Sequence, residues 1–201
     1  MSVSEIVRTY LEADRSGWTF DQWLEEIEGP NNLAIHTFMD DKDHRARLAR
    51  APGSREAHHA WEGGYTEHLR QTFWIAAHTA ALFEKSGRMD ELPPEEQFTL
   101  SDALTVLFLH DIEKPFIYDV DENGGVVKLV DMPKQARKAF RAGVIEKYAF
   151  VITPTMENAL LHVEGVRDEH YVPGERADQP LAALCHAADN LSARGFYSHQ
   201  G

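Results

Sequence analysis

The chain has 201 residues, 43% hydrophobic and 26% charged, with a formal net charge of −13 and one cysteine, Cys185. This composition is that of a soluble globular fold, and no apolar run approaches the roughly 20 residues of a membrane-spanning helix. An internal disulfide is excluded, and the negative charge opposes broad binding to long nucleic acid, where Lys and Arg must meet phosphates.

Taken from the start, the first eight residues lack the basic-then-apolar layout of a signal peptide, so a cytoplasmic location is expected. Ser4 to Ala13 reads as a short amphipathic helix. Thr19 to Glu28 reads as a second, with Phe20, Trp23, Leu24 and Ile27 as its stripe and Gly29-Pro30 as its stop. Residues 31–51 are charge-rich and partly helical, and Pro52-Gly53-Ser54 reads as a turn or short linker. None of these segments carries recognisable chemistry.

Ala57 to Arg70 is more informative. The pair Gly63-Gly64 is a natural break before a long helix from about Tyr65 to Lys85. Leu69, Phe73, Ala76 and Ala77 form its apolar face, and His68 lies beside that face. Ser86 to Glu96 reads as a loop. Ser101 to Pro115 then begins as an apolar helix, with Ser101 as a plausible cap and Pro115 closing it. His110 and Asp111 sit inside this apolar run, where a polar pair is costly unless something compensates it. A core imidazole satisfied by its neighbouring carboxylate is one answer; a bound divalent cation is the other.

Residues 116–120 and 126–130 flank Asn123-Gly124, a hairpin signal. Pro133 opens a helix to about Tyr148 that carries Lys134, Arg137, Lys138, Arg141 and Lys147. Its basic face is either solvated or turned towards phosphate. Thr153 or Thr155 caps a helix bearing His162, and a loop with His170 follows. The last helix starts near Asp178, has Pro180 in its first turn, holds His186 and Asp189 on one face and stops at Gly195.

His68, the pair His110 and Asp111, and Asp189 each lie in or beside an apolar helix. Two imidazoles and two carboxylates together balance one divalent cation and leave coordination positions for water and substrate. The order His, His-Asp, Asp, each on its own helix, resembles the HD-domain superfamily of metal-dependent phosphohydrolases. The segment from His58-His59 through Gly63-Gly64 to His68 resembles the one bearing the first metal-binding His in the HD domain of bacterial 3′-5′ exoribonucleases. His110 to Lys114 resembles the central HDxxK element, and Leu184 to Ala193 the final element, whose Asp closes the site. Val163 stands where relatives with two metals often have a second His, and Glu113 where relatives often have Gly.

The resemblance implies an all-α, HD-domain-like helical bundle with one small β-hairpin near 116–130. Residues 55–201 would form the phosphohydrolase domain; residues 1–54, outside the resemblance, read from their own pattern as a helical extension packed on it. His68, His110, Asp111 and Asp189 would hold the metal, and Lys114 would reach towards the substrate phosphate. His58 and His59 would lie at the mouth, as phosphate contacts or proton donors to the leaving group, with Asp111 or a nearby His moving the proton. His162 and His170 would hold a second ion where there is one. Nitrogen and oxygen ligands suit Mn, Fe, Mg, Co or Ni, with Zn admissible. The activity expected is hydrolysis of a phosphate ester or anhydride of a nucleotide or similar small molecule, with no membrane partner. A 3′-5′ exonuclease acting on single strands and a non-catalytic nucleotide-binding domain are the competing readings.

Overall fold

In the computed structural model, which describes residues 15, 17–164 and 179–195, side-chain oxygens set several helix starts. Thr19 caps α1 (Phe20–Leu24) by accepting from the Gln22 N–H, while the Gln22 side chain accepts from the Thr19 N–H. The helix expected over 19–28 is therefore shorter, and Gly29-Pro30 opens α2 (Gly29–Asp40) as well as ending what precedes it. Proline suits a first turn because its missing N–H would have no partner there. Asp41 then caps α3 (Lys42–Arg50), so the charge-rich stretch is two helices.

The Gly63-Gly64 break is followed by α4 (Gly64–Lys85), as its spacing predicts. A one-turn 3₁₀ segment, Pro94–Glu96, leads into α5 (Leu100–Leu109). The cap of α5 is Thr99, not Ser101. Thr99 and Asp102 form a reciprocal capping box, and the Ser101 hydroxyl accepts from the Glu28 N–H at 2.9 Å. Nor does Pro115 close α5, which ends at Leu109 with His110 as its C-cap. Pro115 lies instead in the first turn of α6 (Lys114–Ile117). Strands β1 (Tyr118–Val120) and β2 (Val126–Lys128) pair antiparallel with Val120 opposite Val126, so the ribbon is shorter than the sequence implied. Asp121 accepts from the Asn123 and Gly125 N–H groups, and Gly124 takes the left-handed conformation the turn requires. The chain continues through α7 (Lys134–Lys147), α8 (Pro154–His162, capped by Thr153) and α9 (Pro180–Arg194). Gln179 holds the N-cap position of α9. The helix expected over 4–13, the loop with His170 and the expected cap Asp178 lie outside the described residues.

Among the described residues the fold is all-α with one two-stranded hairpin. Every residue from Ala103 to Leu109 is buried, which marks α5 as the central helix. Helices α4, α8 and α9 pack around it, and α4 also meets α1 and α3. Trp23, Ile35, Phe38 and Leu48 enter this same core. The Phe38 ring meets Phe108 edge-on at 5.7 Å, and Asn31 exchanges two hydrogen bonds with the backbone of Val151. Pro52 and Gly53 are buried too, so this segment is an internal support and not a linker. No helix among the described residues is long and apolar enough to cross a membrane.

Candidate metal centre

Three helices deliver the site. His68 sits one turn into α4, His110 caps the end of α5, and Asp189 projects from α9. Asp189 Oδ1 lies 3.2 Å from His68 Nε2 and 3.6 Å from His110 Nε2. Asp111 Oδ2 lies 3.1 Å from His110 Nε2, and its other neighbour is Lys114 Nζ at 2.5 Å.

The tautomers follow from the surrounding bonds. His110 Nδ1 is 2.6 Å from the Leu107 carbonyl, which can only accept, so Nδ1 carries a proton. Around His68 the Gln71 amide gives the direction. Its Nε2 donates to Glu67, so its Oε1 accepts, taking the Ser192 hydroxyl proton at 3.0 Å. Ser192 must then accept from His68 Nδ1, 2.9 Å away. Gln71 Oε1 also accepts from His59 Nε2, which leaves His59 Nδ1 to accept from His58 Nδ1 at 3.1 Å. In their neutral forms His58, His68 and His110 therefore each carry a lone pair on Nε2.

The Nε2 atoms of His68 and His110 are buried without a hydrogen-bond partner. Carboxylate oxygens lie 3.1–3.6 Å away, but none makes a hydrogen bond with either atom. Atoms that converge without facing each other are what ligands of one cation look like. Metal–ligand bonds of about 2.0–2.2 Å put neighbouring donor atoms about 3.0–3.5 Å apart. The observed 3.1 and 3.2 Å fall within that spacing, and 3.6 Å lies just beyond it.

Charge in the site is balanced tightly. Burial opposes ionisation of Asp189, but His110 and His68 hold its carboxyl far below the usual range. Burial likewise opposes the Asp111 charge, and Lys114 and His110 overcome it. Burial pushes the His110 imidazole down, yet Asp111 and Asp189 outweigh it and carry it up to about 10. A proton and a cation are thus alternatives at His110 Nε2. His58 and His59 are pushed down to about 4, mainly by burial and then by His68.

Among the described residues, two groups bring ligand atoms close enough for one ion: His68, His110 and Asp189; and His58, His59 and His68. Asp111 joins neither group, although its Oδ2 meets His110 and Lys114; nor does His162, at the end of α8, and His170 lies outside the described residues. His186 is engaged elsewhere, bonded to the Val163 carbonyl and the Asn190 amide. Sequence reasoning missed Gln71 and Ser192. The signal was present: Gln71 is three residues after His68 and Ser192 three after Asp189, on the same helical faces.

His59 is held with φ at +54°, an uncommon conformation for a residue with a side chain. Two glycines accommodate it. The Gly53 N–H donates to the His59 carbonyl at 2.7 Å, and a Cβ on Gly64 would stand 2.0 Å from that same oxygen.

Two clefts open beside the centre. One, of about 550 Å³, is lined by His58, Asp189, Asn190 and Arg194. The other, of about 350 Å³, lies between His110, Glu113 and the basic helix α7. No family model matches this chain, and neither a curated protein nor a solved structure matches it. The functional reading therefore rests on the residues themselves.

Proposed function

We propose that this chain is a metal-dependent phosphohydrolase of HD type, acting on a nucleotide or similar small phosphorylated molecule. The observation that carries the reading is the pair of buried, unpartnered Nε2 atoms on His68 and His110 converging with Asp189. His68, His110 and Asp189 would hold one divalent cation, with Asp111 beside His110. When bound, that ion supplies charge to polarise a phosphoryl oxygen and to acidify water.

The chain's own groups do the rest. Lys114, beside Asp111, offsets negative charge that builds on the phosphoryl oxygens. His58 lines the larger cleft next to Asp189 and is neutral at pH 7, so it accepts a proton before it gives one. In the overall step a water oxygen joins phosphorus and the bond from phosphorus to the leaving oxygen breaks. The water's proton passes to His58 and then to the leaving oxygen. The part-buried relay Glu67–Gln71–His59 keeps the His58 lone pair on Nε2.

The test is phosphate release across a nucleotide panel with added Mn²⁺ or Co²⁺, on the wild-type chain and on His110→Ala and Asp189→Ala. Each variant is expected to lose at least about 100-fold in turnover while keeping its helix content. Full activity in either variant would contradict the reading. Metal and nucleotide binding without turnover in the wild type would support the non-catalytic alternative.

A further inference from the structure

The smaller cleft calls for a ligand of its own. Lys134 is three and four residues before Arg137 and Lys138, and Arg141 four and three after them, so the four share one side of α7. All four line the cleft, and Arg137, Lys138 and Arg141 are half-buried there. Like charges at these spacings repel one another, and burying them raises the cost. Glu113, Asp131 and Glu164 also line the cleft, but Asp131 is already ion-paired with Lys128. The balance is positive, in a chain of net charge −13.

The two arginines are fixed in place by backbone carbonyls. Arg137 Nε donates to Met132 O and Arg141 Nη1 to His110 O, each at 2.9 Å. A guanidinium has five N–H donors, so each keeps others for an anion. The second of these bonds ends on the backbone of a metal-site residue. The site thus lies between the two clefts: His110 lines the basic one and Asp189 the other, with His110 Nε2 and Asp189 Oδ1 3.6 Å apart.

We propose that the basic cleft binds the non-reacting phosphates of a substrate with two or more phosphate groups, such as a nucleoside diphosphate or triphosphate. Turnover of such a ligand rests on the hydrolase reading; its binding in the cleft does not. The volume of about 350 Å³ suits a short polyphosphate, and the larger cleft by His58 and Asp189 leaves room for the nucleoside.

The test has two arms on the full-length chain. In the first, inorganic tripolyphosphate is titrated calorimetrically into chelator-dialysed protein. Lys138→Glu is expected to weaken binding at least tenfold, and Lys42→Glu, exposed on α3 and outside both clefts, to leave it within twofold. In the second, KM is compared for a nucleoside triphosphate and its monophosphate. Lys138→Glu and, separately, Lys134→Ala are expected to raise KM for the triphosphate several-fold, with kcat and the monophosphate KM within twofold. Tripolyphosphate binding that ignores Lys138→Glu would overturn the proposal, as would equal losses for both nucleotides. A single-stranded oligonucleotide that displaces tripolyphosphate better than the nucleoside triphosphate would also overturn it, because the cleft would then serve nucleic acid. Loss of turnover in the wild type with the calorimetric result intact would sink the hydrolase and spare the cleft.

Discussion

Ser192 shows how little of the site's orientation depends on the ligands alone. Its hydroxyl accepts from His68 and donates to Gln71, so it fixes which His68 nitrogen is bare. Such outer partners are typically worth about 10–100-fold in metal affinity. Ser192→Ala is therefore expected to weaken metal binding by about that factor in a calorimetric titration, with the fold retained; an unchanged affinity would show that His68 needs no such guide. The imidazoles also set a pH dependence in the metal-free protein. His110 is raised from 6.5 to about 10 in the folded state. The stability this contributes is present below pH 6.5 and is lost as pH rises towards 10. His58 and His59 are lowered from 6.5 to about 4, so the unfolded chain takes up their protons first as pH falls through that window. Stability is lost there as well. In chelator the melting temperature is expected to peak near pH 6.5 and decline on both sides, and saturating metal should remove the alkaline decline by replacing the His110 proton. A chelated protein that grows more stable from pH 7 to 9 would contradict this.

The helices were largely legible in the sequence, and their ends were not. Apolar spacing located α4 and α5, because packing on one core imposes the period that the residues display. Ser101 was the wrong cap because two hydroxyl residues precede the apolar run, and only Thr99 has an acid three places on. Pro115 reads as a stop because proline is disfavoured in a helix interior, yet the same missing N–H suits the first turn of α6. His68, His110 and Asp189 were legible as polar residues on apolar helices. The Arg141 bond to the His110 carbonyl was not, since a side chain reaching the backbone 31 residues away leaves no periodic trace. The Gly63-Gly64 break was seen as a helix start, but its second purpose was hidden. Gly64 makes room for the His59 backbone, so Gly64→Ala must displace one of them. That variant is expected to lower the melting temperature by several degrees and to disturb the relay from Glu67 to His58. An unshifted melting temperature would show that the segment gives way freely.

One hydrophobic core runs from Trp23 in α1 to Ala188 in α9, and the candidate centre lies where three of its helices meet. Residues 17–54, which carry no recognisable chemistry, thus contribute through packing: Phe38 backs Phe108, two residues from His110. Because the ligands come from separated parts of the chain, a cation held by them binds the folded state far better than the unfolded one. Metal at about 100 times its dissociation constant adds about 2.7 kcal/mol, and in a chain of this size each kcal/mol moves the melting temperature by about 2–4 °C. Saturating metal is expected to raise it by about 5–10 °C over chelated protein, and Asp189→Ala should abolish that rise. The most direct measurement is the metal content of the purified chain by elemental analysis, wild type beside His110→Ala and Asp189→Ala. One divalent ion per chain in the wild type, and a small fraction of that in both variants, is the expected result. Equal metal in all three, or none in the wild type even after incubation with Mn²⁺ or Co²⁺, would contradict a cation held between His68, His110 and Asp189.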